Sequence, residues 1–122
     1  MTLAIFGIRN CNTMKKAFDW LEGNQVAYRF HDYKKSGADR DALGRWCRRL
    51  GWQALVNTRG TTWRKLDSSR RNVVDESAAI DLMVDYPSLI RRPVVETESG
   101  ELLVGFSEAA FAEHLLPPGE RA

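Results

Sequence analysis

Two spacings of apolar residues alternate along this chain, and together they predict its strands and helices. Short apolar or alternating runs predict strands at about 3–6, 26–31, 94–95 and 102–104. Apolar residues at the i, i+3, i+4, i+7 spacing of one helix face predict helices at about 14–23, 39–50, 76–86 and 107–116. We expect Thr61 or Thr62 to cap a further short helix, and Ser107 to cap the last one.

The order of these elements predicts an α/β protein. A strand–helix–strand unit of this length makes a parallel crossover, and Ser99-Gly100 between the last two strands indicates a hairpin. We therefore predict a thioredoxin-like mixed four-stranded sheet, β-α-β followed by β-β-α, with a helical insertion. In this prediction one domain spans residues 1–116. It contains a β-α-β half (1–35), the insertion (36–90) and a β-β-α half (91–116), and a flexible tail (117–122) follows.

Cys11 lies where the first predicted strand leads into the first predicted helix. A thiol at that position faces free backbone N–H groups and the positive end of the helix dipole, which both favour the thiolate. The thiolate is the form that does nucleophilic and redox chemistry. Cys11 is therefore the candidate catalytic residue, and a small buried hydrophobe is the alternative interpretation.

The sequence offers no second cysteine that could resolve a disulfide formed on Cys11. Cys47 falls in an apolar helix stripe and is expected to belong to the core. Met14 stands where the second cysteine of a C-x-x-C pair would be. Because a lone cysteine cannot resolve its own mixed disulfide, the chemistry must be monothiol and needs an external thiol such as glutathione.

Composition narrows the class of protein. The chain has 122 residues, 43% of them hydrophobic and 28% charged, with a net charge of +2, which is typical of one globular domain. No apolar run is long enough to span a membrane, and no secretory signal is visible, so we expect a cytoplasmic protein with reduced thiols. Basic residues crowd the middle of the chain and are either a solvated surface or a face for an anion or acidic protein. No nucleic-acid or zinc motif is recognisable, so no direct nucleic-acid partner and no metal site are predicted.

Four stretches, in chain order, carry a family resemblance. They read FGIRNCNTMKKA from Phe6, VNTRGTTWRKL from Val56, PSLIRRPVV from Pro87 and LVGF from Leu103. Together they resemble the ArsC/Spx family of thioredoxin-like proteins, and most of all its YffB branch. In arsenate reductases of this family a cysteine attacks the bound oxyanion and glutathione attacks the adduct.

The resemblance assigns roles to matching residues. Cys11 matches the nucleophile, and Arg59 and Arg92 match two of three anion-binding arginines. The third arginine would fall near Gly105 and an upstream histidine at Gly7, so efficient arsenate reduction is not expected. The YffB branch implies a glutathione-dependent thiol reductase, with glutathione as co-substrate and no bound cofactor.

Further candidate residues surround the cysteine. Arg9 is expected to add positive potential, and Asn12 replaces the acidic residue usual in the YffB pattern while keeping its capping ability. Thr13 either donates its hydroxyl to Cys11 or caps the helix. In a thioredoxin-like fold a proline lies beside the cysteine, and we expect Pro93 to have this place with a cis Arg92–Pro93 bond.

Two functional hypotheses follow. The first is a glutathione-dependent monothiol reductase acting on a mixed disulfide or, less readily, on arsenate. The alternative is an Spx-like regulatory protein that binds RNA polymerase without turnover, although Met14 breaks the C-x-x-C pair frequent in such regulators. A monomer is the simplest expectation for a domain of this size.

Overall fold

The computed structural model describes residues 2–120, and these form a four-stranded sheet. Its strands are β1 (Leu3–Gly7), β2 (Tyr28–Asp32), β3 (Val94–Glu96) and β4 (Leu102–Val104). Their order across the sheet is β2-β1-β3-β4. Strand β1 is parallel to β2 and antiparallel to β3, and β3 is antiparallel to β4. The predicted mixed sheet of a thioredoxin-like fold is confirmed.

The helices of the described residues differ widely in length. They are α1 (Asn12–Gly23), α2 (Tyr33–Ser36), α3 (Arg40–Leu50), α4 (Trp52–Leu55), α5 (Thr61–Lys65), α6 (Ser68–Arg71), α7 (Glu76–Asp85) and α8 (Glu108–Leu115). Two short 3₁₀ helices, Pro87–Leu89 and Pro118–Glu120, follow α7 and α8.

The chain divides into two compact units. The first unit combines the chain up to Asp32 with the chain from Arg92 onward, and the second unit is Tyr33–Arg91. The second unit contains the segment predicted as a helical insertion, residues 36–90. It starts earlier because Tyr33–Ser36 form a short helix whose apolar pattern is too brief to recognise in the sequence.

One face of the sheet in the first unit carries its hydrophobic core. Alternate residues of β1 and β3 reach this face, and α1 and α8 both pack against it. Each fully buried large apolar side chain contributes about 1.5–3 kcal/mol to the free energy of unfolding. The buried members of this core are Leu3, Ile5, Met14, Ala17, Leu21, Val95 and Phe111.

The start of α8 shows how local sequence sets an element. The Ser107 hydroxyl accepts a hydrogen bond of 3.2 Å from the Ala110 N–H, as the capping prediction requires. Phe106 and Phe111 pack edge to face across the cap, with ring centroids 4.9 Å apart. This contact is a hydrophobic staple, which fixes the angle at which the chain enters the helix.

The second unit is mainly helical. Asp39 and Asp75 cap α3 and α7 by accepting hydrogen bonds from the N–H groups of Asp41 and Ala78. Most of the predicted apolar face of each helix is buried, and Trp46 is only 1% exposed. Leu50 and Tyr86, at the ends of the two predicted faces, are exposed instead. A separate apolar cluster holds the end of the unit together and consists of Leu66, Leu82 and Leu89.

Two local predictions concern the cap of α5 and the C-terminal tail. The threonines were expected to cap α5, but Gly60 occupies the cap, and Thr61 and Thr62 lie in the first turn. A Cβ at position 60 would lie 2.9 Å from Asn57 Nδ2, so a larger residue at the cap would require the Asn57 side chain to shift. Pro118–Glu120 form a 3₁₀ helix within the predicted tail, and residues 121–122 lie outside the described part of the chain.

Two features of other classes of protein are absent from the described residues. In this part of the chain, no helix combines the length and the apolar content needed to cross a membrane. Within the same residues, no three histidine, cysteine or acidic side chains are grouped in a way that could hold a metal ion.

Candidate active site

Cys11 is the N-cap residue of α1, directly after the turn that follows β1. Its backbone is extended, with φ −150° and ψ 134°, and its carbonyl oxygen accepts the first helical hydrogen bond from the Lys15 N–H at 3.0 Å. The side chain is half-buried. The predicted position of Cys11 at the start of the first helix is confirmed, and a thiol there is both accessible and close to the helix N-terminus.

The surroundings of the Cys11 sulfur favour the thiolate. Burial by itself raises the pKa of the thiol, but several groups outweigh it: the Met14 N–H, a hydrogen bond from the Arg92 side chain, the Thr13 N–H and the positive charge of Arg92. The net result is a pKa below the ordinary value for cysteine. The sulfur does not reach the geometry of a full capping bond within the described helix α1, so these N–H groups act mainly through their partial charges.

Strand register brings Arg92 to the thiol. Val94, the first residue of β3, pairs with Phe6 near the carboxyl end of β1, and the turn to Cys11 starts at that end. Arg92 and Pro93 immediately precede Val94, so they lie at the same end of the sheet. The Arg92–Pro93 bond is cis, as predicted, and Pro93 is buried while Arg92 is half-buried.

Two glycines shape the backbone around this end of the sheet. Gly105 has φ +83°, and its N–H donates a hydrogen bond of 2.8 Å to the Pro93 carbonyl oxygen. An arginine at position 105 would have to adopt this left-handed backbone conformation, which is costly for a residue with a Cβ. The absence of the family's third arginine near this position therefore agrees with the local geometry.

Gly7 is required by the close approach of Met14. A Cβ at position 7 would lie 2.5 Å from Met14 Sδ and 2.7 Å from its Cε. Met14 is completely buried, so its side chain has little room to move away. Met14 therefore fills the space that a histidine at position 7 would need.

The structure places Asn12 and Thr13 inside the helix instead of at its cap. They are the first two residues of α1, and Asn12 is exposed while Thr13 is half-buried. The prediction that Thr13 caps the helix is wrong, because Cys11 itself has that position. Thr13 acts on the thiol through its backbone N–H, as does Met14, and the sequence analysis did not single out the Met14 N–H. The sequence did contain the information needed to find the Met14 N–H, since a residue at the N-cap faces the N–H groups two and three positions ahead.

Arg9 and Arg59 have different surroundings. The guanidinium of Arg9 lies over the Phe30 ring, 5.0 Å from its centroid, which ties this charge to strand β2. Arg59 belongs to the second unit, where it is exposed and its N–H donates to the Asn57 side-chain oxygen at 3.0 Å. A role in anion binding stays a prediction for both arginines.

Cys47 belongs to the core of the second unit, as predicted. Its side chain is 3% exposed on α3. Burial, together with the negative charge of Glu76, raises the pKa of this thiol to about 11, and the opposing effect of Arg48 is smaller. Cys47 is therefore a neutral thiol at physiological pH and a poor nucleophile.

Comparison with known proteins agrees with this arrangement. The model of the ArsC family matches residues 6–114. The solved structure of a YffB protein is 50% identical, with a TM-score of 0.88 over 93% of this chain and 98% of that one. An uncharacterized protein of Haemophilus influenzae is 40% identical over 90% of this chain and 99% of its own length.

A regulator is also among the relatives. The global transcriptional regulator Spx of Streptococcus mutans is 30% identical over 87% of this chain and 77% of its own length. The family model covers most of the chain, including Cys11, Arg92 and Pro93. The chain therefore belongs to the ArsC family.

Proposed function

We propose that this protein is a glutathione-dependent monothiol reductase in which Cys11 is the nucleophile. The observation that carries the proposal is the lowered pKa of the Cys11 thiol, produced by two backbone N–H groups of α1 and by Arg92. A lowered pKa increases the fraction of thiolate at a given pH, and the thiolate attacks a disulfide efficiently, whereas the neutral thiol does not.

The reaction takes two thiol–disulfide exchanges. In the first, the Cys11 thiolate attacks the glutathione sulfur of a mixed disulfide, a new S–S bond forms, and the substrate sulfur leaves as a thiolate that takes a proton from water. In the second, the thiolate of free glutathione attacks the glutathionyl sulfur bound to Cys11. Glutathione disulfide forms, and the Cys11 thiolate is regenerated.

The second exchange needs free glutathione because the chain offers no suitable internal thiol. Position 14 is methionine, and Cys47, the other cysteine, is buried with a pKa raised to about 11. Arg92 supports both steps by stabilising the anionic sulfur, since a guanidinium keeps its charge at any cellular pH.

Arsenate is the weaker substrate candidate. Gly7 and Gly105 stand where arsenate reductases of the family have a histidine and an arginine. The close contact with Met14 opposes a larger residue at position 7, and the positive φ opposes one at position 105. Fewer positive groups for an oxyanion are therefore available beside Cys11 than the family pattern provides. A mixed disulfide needs fewer such groups because it carries no charge at the reacting sulfur.

A regulatory role is the second candidate. The observation that favours it is the 30% identity with the regulator Spx over most of this chain. In that case the protein would bind RNA polymerase and Cys11 would show no turnover. Pull-down of purified RNA polymerase by the wild-type protein, compared with the Cys11→Ser variant, tests a thiol-independent contact.

The test of the reductase proposal is an assay with the mixed disulfide of glutathione and 2-mercaptoethanol. We expect turnover that depends on free glutathione, and a glutathionyl adduct on Cys11 when free glutathione is withheld, detected by mass spectrometry. Cys11→Ser should abolish both signals. If the wild-type protein forms no adduct and gives no turnover, the reductase proposal is wrong.

A further inference from the structure

A surface groove in the first unit lies between α1 and the start of α8. It has a volume of about 610 Å³ and is lined by Lys16, Asp19, Trp20, Phe106, Ser107 and Glu108. Trp20 and Phe106 are half-buried, and both pack edge to face on Phe111, with ring centroids at 5.4 Å and 4.9 Å. The aromatic walls are thus held by the core, while the charged residues form an exposed rim.

Two routes connect this groove with the candidate active site. Asn12, which directly follows Cys11, lies on the same face of α1 as Lys16 and Trp20, because the three residues are spaced four apart. On the other wall, Phe106 follows Gly105, whose N–H is bonded to the carbonyl oxygen of Pro93. Each wall of the groove is thus connected through α1 or through Gly105 to residues near the Cys11 thiol, although Cys11 and Asn12 do not line the groove.

The chemistry of the groove differs from that of the thiol site. At Cys11 the neighbouring groups are N–H dipoles and the positive charge of Arg92, which suit an anionic ligand. In the groove, two carboxylates and one ammonium accompany two aromatic rings. Aromatic faces together with carboxylates attract a guanidinium or ammonium group. Glutathione, with its two carboxylates, suits the first environment and not the second.

We propose that this groove binds a basic segment of a polypeptide, and that the substrate class of the reductase is therefore glutathionylated proteins. This inference rests on the proposed function. The glutathionyl half of the mixed disulfide lies at the Arg92 side of Cys11, and the polypeptide half lies along α1. An arginine or lysine of the polypeptide reaches Asp19 and Glu108, with its alkyl chain against Trp20 and Phe106.

The distance along α1 from Cys11 to Asp19 sets where the basic residue is expected. Asp19 is eight positions beyond Cys11, which is about 12 Å along the helix axis. An extended peptide covers that distance in about four residues at roughly 3.3 Å each. The basic residue is therefore expected three or four positions from the modified cysteine.

The reacting atoms follow the exchange already described. The Cys11 thiolate attacks the glutathione sulfur, the Cys11–glutathione S–S bond forms, and the bond between glutathione and the polypeptide cysteine breaks. The polypeptide thiolate is released on the side of the groove and takes a proton from water. The thiolate of free glutathione then attacks the glutathionyl sulfur on Cys11, so that glutathione disulfide forms and the Cys11 thiolate is regenerated. The groove takes part only in binding, so it changes kcat/KM for polypeptides and not for small mixed disulfides.

The experiment uses three glutathionylated peptides that are identical except at one position, four residues from the cysteine. At that position they carry arginine, glutamine or glutamate. We expect kcat/KM to fall in that order, by about five-fold between arginine and glutamate, and the difference to shrink at high salt. Asp19→Asn should reduce the difference to about two-fold. The matched control Glu113→Gln removes an exposed charge of α8 outside the groove and should leave the difference unchanged.

The outcomes separate this inference from the proposed function. If the small mixed disulfide is turned over but the three peptides react equally, or if Asp19→Asn behaves like Glu113→Gln, the groove assignment is wrong and the reductase proposal stands. If neither the small disulfide nor any peptide reacts, the reductase proposal fails. Independent of turnover, the arginine peptide should shift the NMR signal of the Trp20 indole N–H, and a shift equal to that caused by the glutamate peptide would overturn the groove assignment.

Discussion

Cys11 caps the N-terminus of α1 in the first unit, whereas Cys47 lies in the C-terminal half of α3 in the second unit. The neighbours of Cys11 are N–H dipoles and Arg92, and the pKa of its thiol is lowered. Around Cys47, burial and the charge of Glu76 raise the pKa to about 11. The same residue type thus has a lowered thiol pKa at the start of one helix and a raised thiol pKa in the buried face of another.

The comparison teaches that helix position and burial together decide the state of a thiol. Both cysteines lose some contact with water, which raises the pKa of each. Only at Cys11 do the neighbouring N–H dipoles and the hydrogen bond and positive charge of Arg92 exceed this effect. A cysteine on a helix is therefore informative only when its place along that helix is known.

The largest expected effect is on turnover. Cys11→Ser should reduce the reduction of a glutathione mixed disulfide to the uncatalysed background, because a serine hydroxyl is not ionised at neutral pH. Cys47→Ser should keep activity per folded molecule close to that of the wild type. Steady-state assays of both variants test this contrast, and a comparable loss of turnover in Cys47→Ser would contradict it.

The two serine variants should have opposite effects on stability. At Cys47 the hydroxyl enters the buried core, and we expect the free energy of unfolding to fall by about 1–3 kcal/mol. At Cys11 serine is a better N-cap than cysteine, so the free energy of unfolding should stay constant or rise by up to about 1 kcal/mol. Urea unfolding measures both, and a large loss in Cys11→Ser would mean that Cys11 is needed for packing.

The pH dependence of stability should also differ in sign between the cysteines. The pKa of Cys11 is lower in the folded state than the unfolded value of about 8.5, so its contribution to stability is present above pH 8.5 and is lost as pH falls through the folded pKa. The pKa of Cys47 is higher in the folded state, so its contribution is present below about pH 8.5. That contribution is lost as pH rises from there to about 11.

Variants isolate these two contributions from the other titrating groups. We expect the difference in free energy of unfolding between wild type and Cys47→Ala to decrease above pH 8.5, at up to about 1.4 kcal/mol per pH unit. The difference between wild type and Cys11→Ser should increase with pH below 8.5. Slopes of the same sign for the two cysteines would refute the assignment of their environments.

A smaller effect is expected from Arg92→Ala, which removes one side-chain hydrogen bond and one positive charge from Cys11. The pKa of Cys11 should rise, and alkylation of Cys11 by iodoacetamide at pH 7 should slow several-fold because a smaller fraction of the thiol is ionised. Arg91→Ala is the matched control, because Arg91 is adjacent in sequence and exposed. Equal alkylation rates in the two variants would show that Arg92 does not support the thiolate.

Much of this protein follows from its sequence because the determining interactions are local. Helical spacing and a following glycine set α3, a serine and two phenylalanines set the start of α8, and a strand followed by a helix put Cys11 at an N-cap. Such features depend on residues within one or two turns of each other, so a pattern along the chain is enough to recognise them.

Only the tertiary structure decided which distant groups meet. Strand register brings Arg92 to the Cys11 thiol. Met14 packs closely against Gly7, and the guanidinium of Arg9 lies over the Phe30 ring of β2. The sequence analysis selected Arg92 through a family resemblance and did not foresee the other two contacts. These contacts depend on how strands pair and how helices pack on them, and spacing along the chain carries no information about distances between different elements.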